Sequence, residues 1–171
     1  MKPRAVLLLT ILFAAAALRL VPHPSNFTPI GALALFGGAQ FDDKRWAFML
    51  PLAAMFLSDI VIGFHGQMPI IYAAFAIIVC MGFWLKEKKT ALRVTEASLA
   101  AATFFFVVSN FAVWAFDGLY PMTLQGLVTC YIAAIPFFQN WLTGTLLYSA
   151  VLFGGFALLE AKLPLLAEAR S

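Results

Sequence analysis

The run IIYAAFAIIVCMGFWL, residues 70–85, carries no charged side chain and is closed by KEKK at 86–89. One soft, polarizable thiol, Cys80, lies near its far end. The same grammar repeats along the chain, long apolar runs parted by short charged clusters. Across 171 residues, 63% are hydrophobic and only 11% charged. A soluble domain of this length is nearer a quarter charged. The mean hydropathy of +0.93 therefore indicates an integral membrane protein. The net charge of +3 does not indicate nucleic acid, because the basic residues sit at the ends of apolar runs and form no stripe with interleaved aromatics. Two cysteines are too few for a disulfide framework.

A membrane helix needs roughly 20 apolar residues to cross a hydrocarbon core of about 30 Å. Six runs are candidates: residues 5–21, 27–41, 46–64, 68–85, 91–116 and 137–159. The first follows a basic start, MKPR, and has the outline of a signal peptide, but is taken as the first membrane helix. The second is short, with Pro29 in its first turn and Asn26 or Thr28 as its cap. The expected fold is all-α, a single transmembrane domain over residues 1–171 with six helices. Six spans place both termini on one side. That side then holds Lys2, Arg4, Lys44, Arg45, Lys86, Lys88, Lys89, Arg93, Lys162 and Arg170, ten of the eleven basic residues, and only Arg19 lies near the other face. Cytoplasmic loops carry the Lys/Arg excess, so both termini are expected in the cytoplasm.

The outer side receives RLVPHPSNF (19–27), SDIVIGFHGQMP (58–69) and the long FDGLYPMTLQGLVTCYIAAIPFFQN (116–140). Both histidines, His23 and His65, fall here, with Asp59, Asp117, Tyr120, Tyr131, Gln139 and Asn140. The third connection is too long for a turn and too apolar for a solvated loop, so residues 120–135 are expected to form a lid. Polar, aromatic, Pro- and Gly-rich loops suggest a pocket that opens outward. They are equally the composition of ordinary interfacial loops. Asp59 and Arg19 lie at or within apolar spans, where ionisable groups face the bundle interior and pair. A pair at similar depth serves a site or simply ties helices together. His23 and His65, with no Cys or Asp at ligand spacing, are a weak metal signal. A lone cysteine in an apolar helix is ordinarily packing.

RLVPHPSNFTPIGALALFGG (19–38), then PLAAMFLSDIVIGFHGQMP (51–69) and the later Cys80, resemble the BtuM family over nearly the whole chain. These are solitary relatives of the substrate-binding S-components of energy-coupling-factor transporters. The resemblance implies an S-component-like bundle in a bacterial inner membrane that binds and transports cobalamin. It also implies that Cys80 coordinates the corrin cobalt and assists decyanation of cyanocobalamin, which makes the protein a transporter with a chemical step. A thiolate suits a soft transition-metal centre, and a coordinating metal deprotonates a thiol that burial would keep neutral. The implied contacts to cobalamin are Arg19, His23, Asn26, Phe27, Asp59, His65, Tyr72, Tyr120 and Tyr131. Cys130, in the third outer connection, is not expected to take part.

The first helix has small residues, Ala14 to Ala17, but no strict small-xxx-small repeat of the kind that docks on a scaffold subunit. This favours work without a dedicated ATPase module. Ala34, Gly38, Ala97 and Ala101 are expected in helix packing within the chain. No GxxxxGK[ST], HExxH or GxSxG occurs, which weighs against a P-loop, a metalloprotease and an α/β-hydrolase. The partners expected are cobalamin and the lipid bilayer, with no nucleic acid. The alternative is an S-component-like carrier of another small molecule, or of cobalt or nickel ions, with Cys80 as packing.

Overall fold

The structure is a computed structural model and describes residues 3–18 and 24–163. Its elements are all helical: α1 (Pro3–Ala17), α2 (Ile30–Gln40), α3 (Lys44–Ile62), α4 (Met68–Trp84), α5 (Ala91–Phe116), α6 (Leu124–Ser149), a π-helical turn (Ala150–Gly154) and α7 (Gly155–Lys162). Among the described residues, three stretches are long and apolar enough to cross a membrane: Lys44–Ile62, Ala91–Phe116 and the continuous Leu124–Lys162. Helices α2 and α4 are apolar but shorter, at 11 and 17 residues.

Local chemistry sets several boundaries. Asp43 caps α3 by accepting from the Arg45 backbone N–H at 2.8 Å, Thr90 caps α5 through the Arg93 N–H, and Thr123 caps α6 through the Gly126 N–H. Each supplies an oxygen to an amide that the helix leaves without a partner. Pro69 occupies the first turn of α4, where its missing N–H costs nothing. At α2 the expected cap is not formed. Pro29 itself holds the N-cap position with no side-chain hydrogen bond.

All eleven residues of α2 are buried. At 1.5 Å per residue it spans about 16 Å, half a hydrocarbon core. It is therefore a central strut, packed against α4, α3 and α6, with α5 and α1 making smaller contacts. Its crossing with α4 is backbone on backbone. A Cβ on Gly38 would collide with the Val79 carbonyl oxygen, and one on Gly82 with the Leu35 carbonyl oxygen. Ala34, Ala97 and Ala101 are also buried, so the small residues pack within the chain as expected.

The third outer connection is shorter than expected. The helix begins at Leu124, so residues 124–140 are the first half of α6 and the lid over residues 120–135 does not exist as a loop. Pro136 lies inside α6. A proline deletes one backbone bond and crowds one carbonyl, and a helix in apolar surroundings that has partners for its other amides accommodates it. The sixth helix consequently starts 13 residues before residue 137 and continues through the π turn.

The two ends of the bundle differ. At one end Lys86 pairs with Asp42 at 3.1 Å, the Lys44 ammonium lies over the Phe83 ring at 6.0 Å, and the Arg93 guanidinium over Trp84 at 5.0 Å. The opposite end carries the start of α4, the end of α5 and the segment leading into α2.

Candidate functional site

A cavity of about 260 Å³ opens at the end opposite these cations. Helix α5 contributes Phe105, Phe106, Ser109, Asn110 and Val113, and α6 contributes Ala134, Phe137, Phe138 and Trp141. These are spacings of three and four, so each set is one helical face. Ile71 of α4 and Asn26, from the segment ahead of α2, complete the wall. Among the described residues, none that lines it is charged.

The segment at Pro24–Pro29 is folded into the bundle. Asn26 has φ 63°, a left-handed conformation that asparagine adopts more readily than most residues. The Asn140 side-chain amide donates to the Ser25 carbonyl at 3.0 Å, and Phe27 rests against Tyr148 with ring centroids 5.7 Å apart. Aromatic pairs then build the cavity wall. Phe105 and Trp141 lie 4.5 Å apart at 34°, and Phe106 and Phe138 4.6 Å apart at 44°. Phe75 packs against both Phe105 and Trp141 from behind. The Asn110 side-chain amide donates to the Phe106 carbonyl at 2.7 Å, one turn back on its own helix.

Two buried polar groups lie one turn apart on α6 without a hydrogen-bond partner: Trp141 Nε1 and Thr145 Oγ1. A Cβ at Gly31 would stand 3.0 Å from Thr145 Oγ1 and 3.0 Å from the Trp141 ring. Glycine at that position lets α2 reach this part of α6.

The expected site residues are dispersed. Asn26 lines the cavity and Phe27 is its chain neighbour. The Tyr72 hydroxyl donates to Asp59 Oδ2 at 2.7 Å, joining α4 to α3. Asp59 is buried, and its expected partner Arg19, like His23, lies outside the described residues. His65 is exposed in the α3–α4 connection. Tyr120 lies between α5 and α6, and the Tyr131 hydroxyl donates to the Val107 carbonyl at 2.7 Å. Cys130 is on α6, buried, with its thiol 3.5 Å from the Asn110 carbonyl.

Cys80 is exposed. The buried face of α4 is Ala74, Phe75, Ile78, Val79 and Gly82. Cys80 shares the opposite stripe with Ala73, Ile77 and Trp84 and lines neither of the two cavities described here. Among the described residues no three His, Cys, Asp or Glu side chains come together as a metal site. The second cavity, about 330 Å³, lies between the start of α5 and the π turn. Lys89 stands at its edge, and a buried Ser98–Ser149 hydroxyl bond of 2.9 Å crosses it.

A family model matches residues 1–166, a family of unknown function, DUF6580. The chain belongs to DUF6580. The match takes in every helix from α1 to α7 and all the cavity residues. No curated protein and no solved structure matches the chain.

Sequence reasoning sought the site in the outer loops and missed most of this wall. The available signal was Ser109–Asn110, two adjacent polar residues in the middle of an otherwise apolar run. Polar groups within a membrane helix usually face the bundle interior.

Proposed function

We propose that this protein is a membrane-embedded carrier that holds a small uncharged molecule in the cavity between α4, α5 and α6. The observation that carries this reading is the cavity itself: aromatic walls, a few amide and hydroxyl groups, and no charge among its described lining residues. Mostly apolar pockets with a few placed polar groups are the usual form of a small-molecule site. Helices α1 to α6 are assigned as six spans, α2 being a short interior one, with both termini and the Lys44/Lys86 end in the cytoplasm and the cavity facing outward. The segregation of basic residues supports this orientation.

The resemblance implies cobalamin, and the alternative is another small molecule or cobalt or nickel ions. The cavity favours a molecule smaller than cobalamin. Its volume lies below the roughly 300–1,000 Å³ of sites for drug-sized ligands, and a corrinoid is larger still. The position of Cys80 on the outward stripe supports a packing or lipid-facing role for that thiol. The test is to denature the purified protein and identify the released small molecules by mass spectrometry, with an absorption spectrum taken beforehand. We expect a compound smaller than a corrinoid, recovered equally from Cys80→Ser. A corrinoid recovered in stoichiometric yield and lost in Cys80→Ser would overturn this reading in favour of cobalt coordination.

A further inference from the structure

We infer that Gln67 and Asp117 form a latch at the mouth of the cavity, and that its release widens the route by which a ligand enters and leaves. This rests on the carrier reading of the cavity and adds its gate. The Gln67 side-chain amide donates to Asp117 Oδ2, joining the start of α4 to the end of α5. Each partner stands one helical turn beyond a wall residue, Gln67 beyond Ile71 and Asp117 beyond Val113. Residues four apart share a helix face, so the bond links α4 and α5 on the faces that line the cavity. Neither side chain serves its own helix. Gln67 holds the N-cap position of α4 with no side-chain cap bond. Asp117 is at the C-cap of α5, where a carboxylate opposes the helix dipole. Their bond to each other accounts for both.

The two sides of the mouth are held differently. On the α5–α6 side the Tyr131 hydroxyl donates to the Val107 carbonyl, the Cys130 thiol lies by the Asn110 carbonyl, and the Trp114 indole N–H ties the Pro121 carbonyl back to α5 at 2.9 Å. That side is fastened at three levels. On the α4–α5 side the Gln67–Asp117 bond joins the outer ends of the two helices. The backbone beside it has room to move. Residues 63–66 are exposed, and a Cβ on Gly63, Gly66 or Gly118 would meet no atom within 4 Å. Gly63 has φ 111° and Gly118 φ 67°, conformations that glycine takes without steric cost. Phe64 stacks on Phe56 of α3, which anchors the α3–α4 connection on α3. Segments with few packed neighbours are the ones that open locally.

The experiment measures how fast N-ethylmaleimide labels Ser109→Cys in the full chain in lipid nanodiscs, in a background with Cys80 and Cys130 replaced. Thr95→Cys, in the second cavity at the other end of the bundle, is the control. Gln67→Ala should speed labelling of Ser109→Cys about fivefold, the effect of one hydrogen bond. Gln67→Glu sets a second carboxylate against Asp117 and should speed it about tenfold. Gln67→Glu combined with Asp117→Lys restores an attraction and should return the rate to near that of the parent. Thr95→Cys should keep its rate throughout. Equal rates at Ser109→Cys in all variants, or no labelling there at all, would overturn the latch. So would a double variant as fast as Gln67→Glu alone, or faster labelling at both sites, which marks a loosened bundle. The carrier reading falls separately, if no small molecule is released from the purified protein.

Discussion

Gly38→Leu abolishes accumulation of folded protein, and Gly38→Ala lowers stability by about 3 kcal/mol, the upper end of the usual range for overpacking. The reason is the α2–α4 crossing. A Cβ at Gly38 meets backbone, the Val79 carbonyl, with Gly82 Cα at 3.0 Å. A flexible side chain could swing aside, but a carbonyl in the middle of a helix moves only if α4 moves. Helix α2 is buried along its whole length, so a displaced α4 opens the core on both sides. Gly66, with nothing within 4 Å of a Cβ, is the control, and Gly66→Ala should behave as the parent. Fluorescence-detected size exclusion at rising temperature reads both. A Gly38→Ala protein as stable as the parent would show that the crossing is looser than described.

Ser109→Trp removes ligand retention by about 100-fold or more, equivalent to about 2.8 kcal/mol. Ser109 stands on the α5 wall between Phe105 and Val113. A tryptophan side chain there occupies most of a 260 Å³ space that a ligand needs to enter. Ser109 is only partly buried, so the larger side chain has room to be accommodated at the mouth while the bundle still folds. Mass spectrometry of the material released from equal amounts of folded parent and variant gives the ratio. Equal recovery would place the ligand elsewhere, and the π-turn cavity beside Ser98 would be the next place to look.

Much of the helical frame was legible in the sequence. The KEKK and DDKR clusters located the turns at one end, and α5 has the same limits in sequence and structure because Thr90 caps it and its apolar run is unbroken to Phe116. Helix α6 was misread because residues 116–140 were taken as one long connection, too long for a turn and too apolar for a solvated loop, with the last span starting only at residue 137. Pro136 removes a single amide, and Asn140 is polar because it holds the Ser25 carbonyl. Apolarity counts do not separate a lipid-facing helix from an interior one, and α2 shows it: the same composition serves a short helix buried by its neighbours. Asn26 was expected as a cap of α2 and as a ligand contact; it lines the cavity, while Pro29 holds the N-cap position. The cavity was not found, because its aromatic residues look like any lipid-facing phenylalanine until α5 and α6 are placed side by side. Cys80 drew notice as chemistry, yet residue type alone does not fix which face of α4 it occupies.

The central claim is that the Ser109 cavity opens to the outside while the Lys44 end faces the cytoplasm. The most direct measurement is the labelling of single cysteines in intact cells by a membrane-impermeant maleimide, in a background with Cys80 and Cys130 replaced. We predict that Ser109→Cys is labelled in intact cells and is protected by the co-purifying ligand, while Lys44→Cys reacts only after the membrane is permeabilised. Labelling of Lys44→Cys from outside, or of Ser109→Cys only after permeabilisation, would contradict the account.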